Sequence, residues 1–122
     1  MTLYRCPACG EIVMEVEKGT CVPRCCGREM EAMKPNTVDA ALEKHVPVVE
    51  EKDGTIEVKV GSVEHPMTEE HSIRFIALES EDGVQVCRLV PGSKPAASFR
   101  TVGKPVAAYE YCNLHGLWKK DL

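Results

Sequence analysis

Thr55-Ile56-Glu57-Val58-Lys59-Val60 alternates polar and apolar residues with period two, the mark of a strand with one face in a core and the other in water. Downstream, residues 72–79, 84–90, 97–102 and 106–111 are further β-like runs. They are separated by Glu81-Asp82-Gly83, by Pro91-Gly92-Ser93-Lys94-Pro95 and by Gly103-Lys104-Pro105, all turn-forming stretches. Short strands at this spacing, with no helix between them, predict an antiparallel sandwich. Upstream, residues 36–51 are mixed in character and read as a connector. Within it 39–44 can make about one helical turn before Pro47 ends it. No internal repeat or low-complexity tract interrupts the chain.

The remaining 35 residues at the N-terminal side differ in kind. All but two of the seven cysteines (Cys6, Cys9, Cys21, Cys25, Cys26, Cys87 and Cys112) fall in the first quarter of the 122-residue chain. The apolar content there is too small to fold unaided, so a structural metal is expected to supply the missing free energy. Two domains follow from this: a small metal-stapled unit over 1–35 and a β domain over 36–122. No apolar stretch approaches the roughly 20 residues of a membrane span, and a cytoplasmic protein is expected. In a reducing compartment clustered cysteines read as metal ligands or redox groups before disulfides, and an odd total argues the same way. The net charge is −4, with Lys and Arg scattered, which excludes a phosphate-tracking nucleic-acid surface. That charge also repels small anions at long range, so anion chemistry needs a local cation.

Cys6-Pro7-Ala8-Cys9-Gly10 is a C-x-x-C knuckle, and Cys25-Cys26-Gly27 follows it. Two cysteines from each of two turns can surround zinc or iron tetrahedrally. Adjacent side chains on an extended backbone point apart, so the vicinal pair predicts a local bend and a distorted tetrahedron. Cys21 is a competing ligand. By spacing alone the group reads as a zinc ribbon.

Each of the four histidines lies outside an alternating run: Glu43-Lys44-His45-Val46-Pro47, Val63-Glu64-His65-Pro66-Met67, Glu70-His71-Ser72 and Cys112-Asn113-Leu114-His115-Gly116. Loop and strand-end histidines are free to converge, whereas core histidines would sit inside apolar runs. Taken singly, each could be a solvated histidine. Cys112 and His115 form a chelating pair on one turn, and His65 and His71 flank a Pro-containing loop, so the set offers up to four imidazoles and one thiolate. Imidazole suits iron, copper, nickel or zinc, and the thiolate disfavours hard ions. Five protein ligands leave one octahedral position open, and a thiolate opposite it pushes electron density toward whatever binds there. The other reading of these residues is an electron-transfer module with a saturated metal and no substrate.

These segments resemble the desulfoferrodoxin and neelaredoxin family of superoxide reductases. Glu43-Lys44-His45-Val46-Pro47, Gly61-Ser62-Val63-Glu64-His65-Pro66-Met67 with Glu69-Glu70-His71, and Tyr111-Cys112-Asn113-Leu114-His115-Gly116-Leu117-Trp118 are similar to its catalytic motifs. The first 35 residues resemble desulforedoxin, with its C-x-x-C and vicinal cysteines. The resemblance implies a mainly β protein, with a small rubredoxin- or desulforedoxin-like metal domain followed by an immunoglobulin-like antiparallel sandwich. It implies two irons per chain: one held by His45, His65, His71 and His115 in a plane with Cys112 on the axis, the other by Cys6, Cys9, Cys25 and Cys26. Iron thereby displaces the zinc that spacing alone favours.

The reaction implied is one-electron reduction of superoxide to hydrogen peroxide without oxygen release, followed by re-reduction by rubredoxin or a similar donor. Lys44 matches the family lysine that attracts superoxide and helps deliver a proton. Glu43 matches the glutamate that occupies the sixth position in the oxidised resting state. The four-cysteine iron would be an accessory one-electron centre, and a homodimer is the expected assembly. Cys21 and Cys87 lie outside the family pattern, Cys87 reading as a small core side chain.

Overall fold

In the computed structural model, which describes all 122 residues, the alternating stretch 55–60 is a strand whose apolar residues Ile56, Val58 and Val60 are buried while Glu57 and Lys59 face solvent. The chain divides into two compact units, Met1–Lys34 and Pro35–Leu122.

In the first unit β1 (Thr2–Arg5) pairs antiparallel with β2 (Ile12–Glu15) and with β5 (Glu31–Ala32). A hairpin of β3 (Arg24–Cys25) and β4 (Arg28–Glu29) carries the vicinal cysteines. Its buried apolar residues are Leu3, Cys6 and Met30. So small a core cannot offset the chain entropy of ordering the unit.

The second unit is a sandwich of two antiparallel sheets. Strands β6 (Pro47–Lys52), β7 (Thr55–Val60) and β10 (Ala96–Phe99) form one in the order β10-β7-β6. The other contains β8 (Ile73–Ser80), β9 (Gly83–Arg88), β11 (Pro105–Cys112) and β12 (Gly116–Asp121) in the order β12-β11-β8-β9. Ile56, Val58, Val60, Ala97 and Phe99 of the first sheet pack against Ile73, Ile76, Leu78, Ala108 and Cys112 of the second. The half-buried Cys87 packs against this core from β9. No helix is long and apolar enough to cross a membrane.

Two strands lie outside the β-like runs expected from the sequence. β6 occupies the last five residues of the expected connector, because Pro47 begins a strand instead of only ending a helix; a missing N–H is tolerated at a strand's first residue. β12 follows the last histidine, pairing with β11 from Ala107↔Asp121 to Cys112↔Gly116. The helical turn, α1, spans Leu42–His45, later than the expected 39–44, and Ala41 at its N-cap makes no side-chain capping bond.

Candidate metal centres

Three connections and one strand end bring the histidines together. His45 closes α1, His65 and His71 lie on the segment between β7 and β8, and Cys112 ends β11 with His115 in the turn to β12. One ligand nitrogen from each histidine and the Cys112 sulfur all lie within 4.8 Å of one another. The four rings form a closed circuit: His45–His65 4.7 Å between centroids, His65–His71 4.6 Å, His71–His115 5.0 Å and His115–His45 4.8 Å. Neighbouring rings meet at interplanar angles of 78° to 88°.

The hydrogen bonds decide which nitrogens face the centre. His45 Nδ1 lies 2.7 Å from the Ala41 carbonyl and His65 Nδ1 lies 2.7 Å from the Pro66 carbonyl. A carbonyl only accepts, so each Nδ1 carries the proton and each Nε2 presents a lone pair inward. Burial, above all, pushes His45, His65 and His71 below the ordinary histidine range, His65 to about 4, which keeps them neutral. The two inward lone pairs, His45 Nε2 and His65 Nε2, stand 3.2 Å apart, and His71 Nε2 is buried without a hydrogen-bond partner. Lone pairs facing each other repel unless a cation lies between them. His115 Nδ1 is 3.0 Å from His45 Nε2. With metal–nitrogen bonds of about 2.1 Å, neighbouring donors would be roughly 3.0 Å apart in a square and roughly 3.4 Å apart in a tetrahedron. The spacings of 3.0 and 3.2 Å around His45 fall within this range, so the donors fit one shared metal ion.

Cys112 is fully buried, and its sulfur lies 3.8 Å from His115 Nδ1. Burial raises its thiol pKa, so a thiolate here needs a metal to stabilise it. Trp118 stacks on His45 at 4.9 Å and 27°, and its Nε1–H donates to the His115 carbonyl at 3.1 Å. Such outer contacts orient ligands. Trp118 was visible in the sequence only as the end of a motif.

Glu110 had no such signal, yet it lies two residues from Cys112 on the same strand face, fully buried, with neither carboxylate oxygen hydrogen-bonded. Desolvation pushes its pKa up to about 9, and it is a neutral acid at physiological pH. Glu43 and Lys44 are exposed on α1 immediately before His45. The Glu43 carbonyl accepts from Val63 N–H at 2.9 Å and from Ser62 Oγ at 3.4 Å, which ties the loop after β7 to α1.

In the first unit Cys6, Cys9, Cys25 and Cys26 also place their sulfurs within 4.8 Å of one another. Cys9 and Cys25 sulfurs are 3.6 Å apart, Cys25 and Cys26 3.8 Å. Sulfurs around a tetrahedral metal at about 2.3 Å would be separated by roughly 3.8 Å. The vicinal pair achieves this because Cys26 adopts a left-handed φ of 52° and Gly27 one of 75°, which swings the second side chain round to the first. The Cys9 N–H, 3.4 Å from the Cys6 sulfur, is the first cause of a thiol pKa lowered to about 6. Cys21 is exposed and outside the group.

The profile of the desulfoferrodoxin family matches residues 37–121. A desulfoferrodoxin of Syntrophotalea carbinolica is 46% identical over 121 residues, covering 99% of this chain and 96% of that protein. The crystal structure of a superoxide reductase from Treponema pallidum superposes with a TM-score of 0.81 at 36% identity, covering 98% of each chain. The superoxide reductase of Giardia intestinalis described as 1Fe-SOR superposes with a TM-score of 0.57 at 34% identity, covering 66% of this chain and 97% of its own.

Proposed function

The chain belongs to the desulfoferrodoxin family, and from that premise we propose that it is a superoxide reductase, taking superoxide, one electron and two protons to hydrogen peroxide with no oxygen released. The observation that carries this reading is the closed circuit of four imidazoles beside one buried thiol. His45, His65, His71, His115 and Cys112 would hold a ferrous iron, which would supply the electron and a place for a small anion to bind.

The chain's own residues do the rest. The Ala41 and Pro66 carbonyls lock two rings with their lone pairs inward, so no reorganisation is needed when substrate arrives. The sandwich core walls Cys112 off from water, which preserves a strong thiolate donor. Lys44, exposed beside His45, offsets the −4 charge of the chain by attracting superoxide locally and relays a proton through water. Glu43, exposed two residues before His45, would be the carboxylate that the oxidised iron takes in the resting enzyme.

Residues 1–35 form a desulforedoxin-like domain whose Cys6, Cys9, Cys25 and Cys26 hold a second iron as an accessory one-electron centre, and residues 36–122 form the catalytic domain. The Giardia protein, aligned over nearly all its length with 66% of this chain, supports an accessory role for the four-cysteine centre. A rubredoxin-like protein re-reduces the enzyme, which works as a cytoplasmic homodimer in superoxide detoxification and electron transport. Cys112→Ala tests the assignment. Anaerobically reduced protein carrying this change should lose iron from the histidine site and consume superoxide no faster than buffer; full activity in the variant would overturn the reading.

A further inference from the structure

Two of the four imidazole ligands have a ring anchor of their own. His45 and His65 donate from Nδ1 to backbone carbonyls, whereas His115 is tied by Trp118 through its main-chain carbonyl. The His71 ring has no anchor either: its Nε2 is the inward, unpartnered atom, and the ring is only partly buried. Its position therefore follows its backbone. Within its own loop the His71 N–H donates to Thr68 Oγ1 at 3.1 Å, and the Thr68 N–H donates to the His71 carbonyl at 2.9 Å. These bonds shape the turn without fixing it to the other ligands.

Beside the ladder pair Cys112↔Ile73, the side-chain connection across to them is Asn113. Its Oδ1 accepts from the Ser72 N–H at 2.9 Å, and its Nδ2 donates to the Glu70 carbonyl at 2.8 Å. The side chain thus grips the residue before His71 and the residue after it. The Asn113 N–H adds a third bond, to the Ser72 carbonyl, at 3.3 Å. Asn113 itself sits between two ligands, Cys112 and His115, so any movement of it is movement of their turn. One amide with one donor and one acceptor satisfies both facing groups, and no charged or apolar side chain of that size could do so.

We propose that Asn113 is the positioning residue for His71, bracketing it by hydrogen bonds to Glu70 and Ser72 and so setting its distance from the turn that carries Cys112 and His115. The proposal rests on the metal centre described above. Loss of such outer contacts typically costs about 10–100-fold in metal affinity, and His71, bracketed by the two Asn113 bonds and without a ring anchor, is the ligand on which the cost falls.

The test uses the full chain loaded anaerobically with ferrous iron, with iron release into an excess of chelator followed well below the melting temperature. Asn113→Ala should release iron from the histidine site roughly 10–100-fold faster than the parent protein, with release from the four-cysteine site unchanged. Asn113→Asp, which can keep the Ser72 bond but not the Glu70 bond, should fall between. In a His71→Ala background the Asn113→Ala change should add less than about twofold, since two changes acting through one ligand are not additive. Release at the parental rate in both Asn113 variants overturns the proposal. An undiminished effect in the His71→Ala background also overturns it, by placing the action of Asn113 on Cys112. Parent protein that binds no iron at the five ligands would refute the metal centre itself, which the initial loading reads directly.

Discussion

Gly61 connects the sandwich to the iron ligands, and Gly61→Ala isolates that connection. The residue follows β7 with φ 80°, a conformation that costs an L-residue roughly 1–2 kcal/mol. A Cβ there would lie 2.4 Å from the Glu43 carbonyl oxygen, 2.5 Å from that of Val63 and 2.8 Å from the Lys44 carbonyl carbon. All three are backbone atoms, so no rotamer change relieves the overlap. Restoring even a 3.0 Å contact to the Glu43 oxygen, from 2.4 Å, requires a shift of about 0.6 Å, and the segment that must shift leads directly into His45.

Overpacking adds roughly 1–3 kcal/mol to the conformational strain, for a total of about 2–5 kcal/mol. In a unit of this size that lowers the melting temperature by about 8 °C or more. A ligand displaced by about 1 Å can cost on the order of 100-fold in rate. Gly54→Ala is the control: its φ is 77°, but nothing lies within 4 Å of the new Cβ, so it carries strain without a clash. Circular-dichroism melts and superoxide-capture rates on the two iron-loaded variants separate the terms. If Gly61→Ala melted with Gly54→Ala and captured superoxide at the parental rate, the coupling of Gly61 to His45 would be refuted.

Lys44→Ala should slow capture by roughly tenfold at low ionic strength and flatten its salt dependence while iron stays bound; an unchanged low-salt rate contradicts steering by Lys44. In metal-free protein the unfolded chain binds a proton on His65 between pH 6.5 and about 4 that the folded chain refuses. Stability therefore falls as pH drops through that window, by roughly 3 kcal/mol from this residue alone. His45 and His71 act in the same direction. Thermal melts across pH 7 to 4 check the sign, and a flat profile contradicts it. Stripping metal from the four cysteines should melt residues 1–34, whose apolar core is little more than Leu3 and Met30, while the sandwich keeps its far-ultraviolet signal. Hydrogen-exchange protection that survives in β1 and β2 without metal would show the unit to be self-sufficient.

The strands with clean alternation were legible because one face of each is buried: β7 reads polar and apolar in turn, and its burial follows residue by residue. β6 was not legible, since Val48-Val49-Glu50-Glu51 lacks alternation and Pro47 reads first as a helix stop. β12 buries the adjacent residues Leu117 and Trp118, which breaks the period of two. The histidines stood out as a set because none lies inside an alternating run. Their anchors did not, since the Ala41 and Pro66 carbonyls belong to the main chain and carry no residue signature. Glu110 occupies a core position by its parity with Ala108 and Cys112, but an acid there reads as an exposed residue until the register of β11 is known.

The most direct test is the product ratio when anaerobically reduced, iron-loaded protein meets a known pulse of superoxide. About one peroxide per superoxide with no oxygen is the result expected of a reductase built on the four-histidine, one-cysteine site; half that peroxide with matching oxygen, or consumption no faster than buffer, would contradict it.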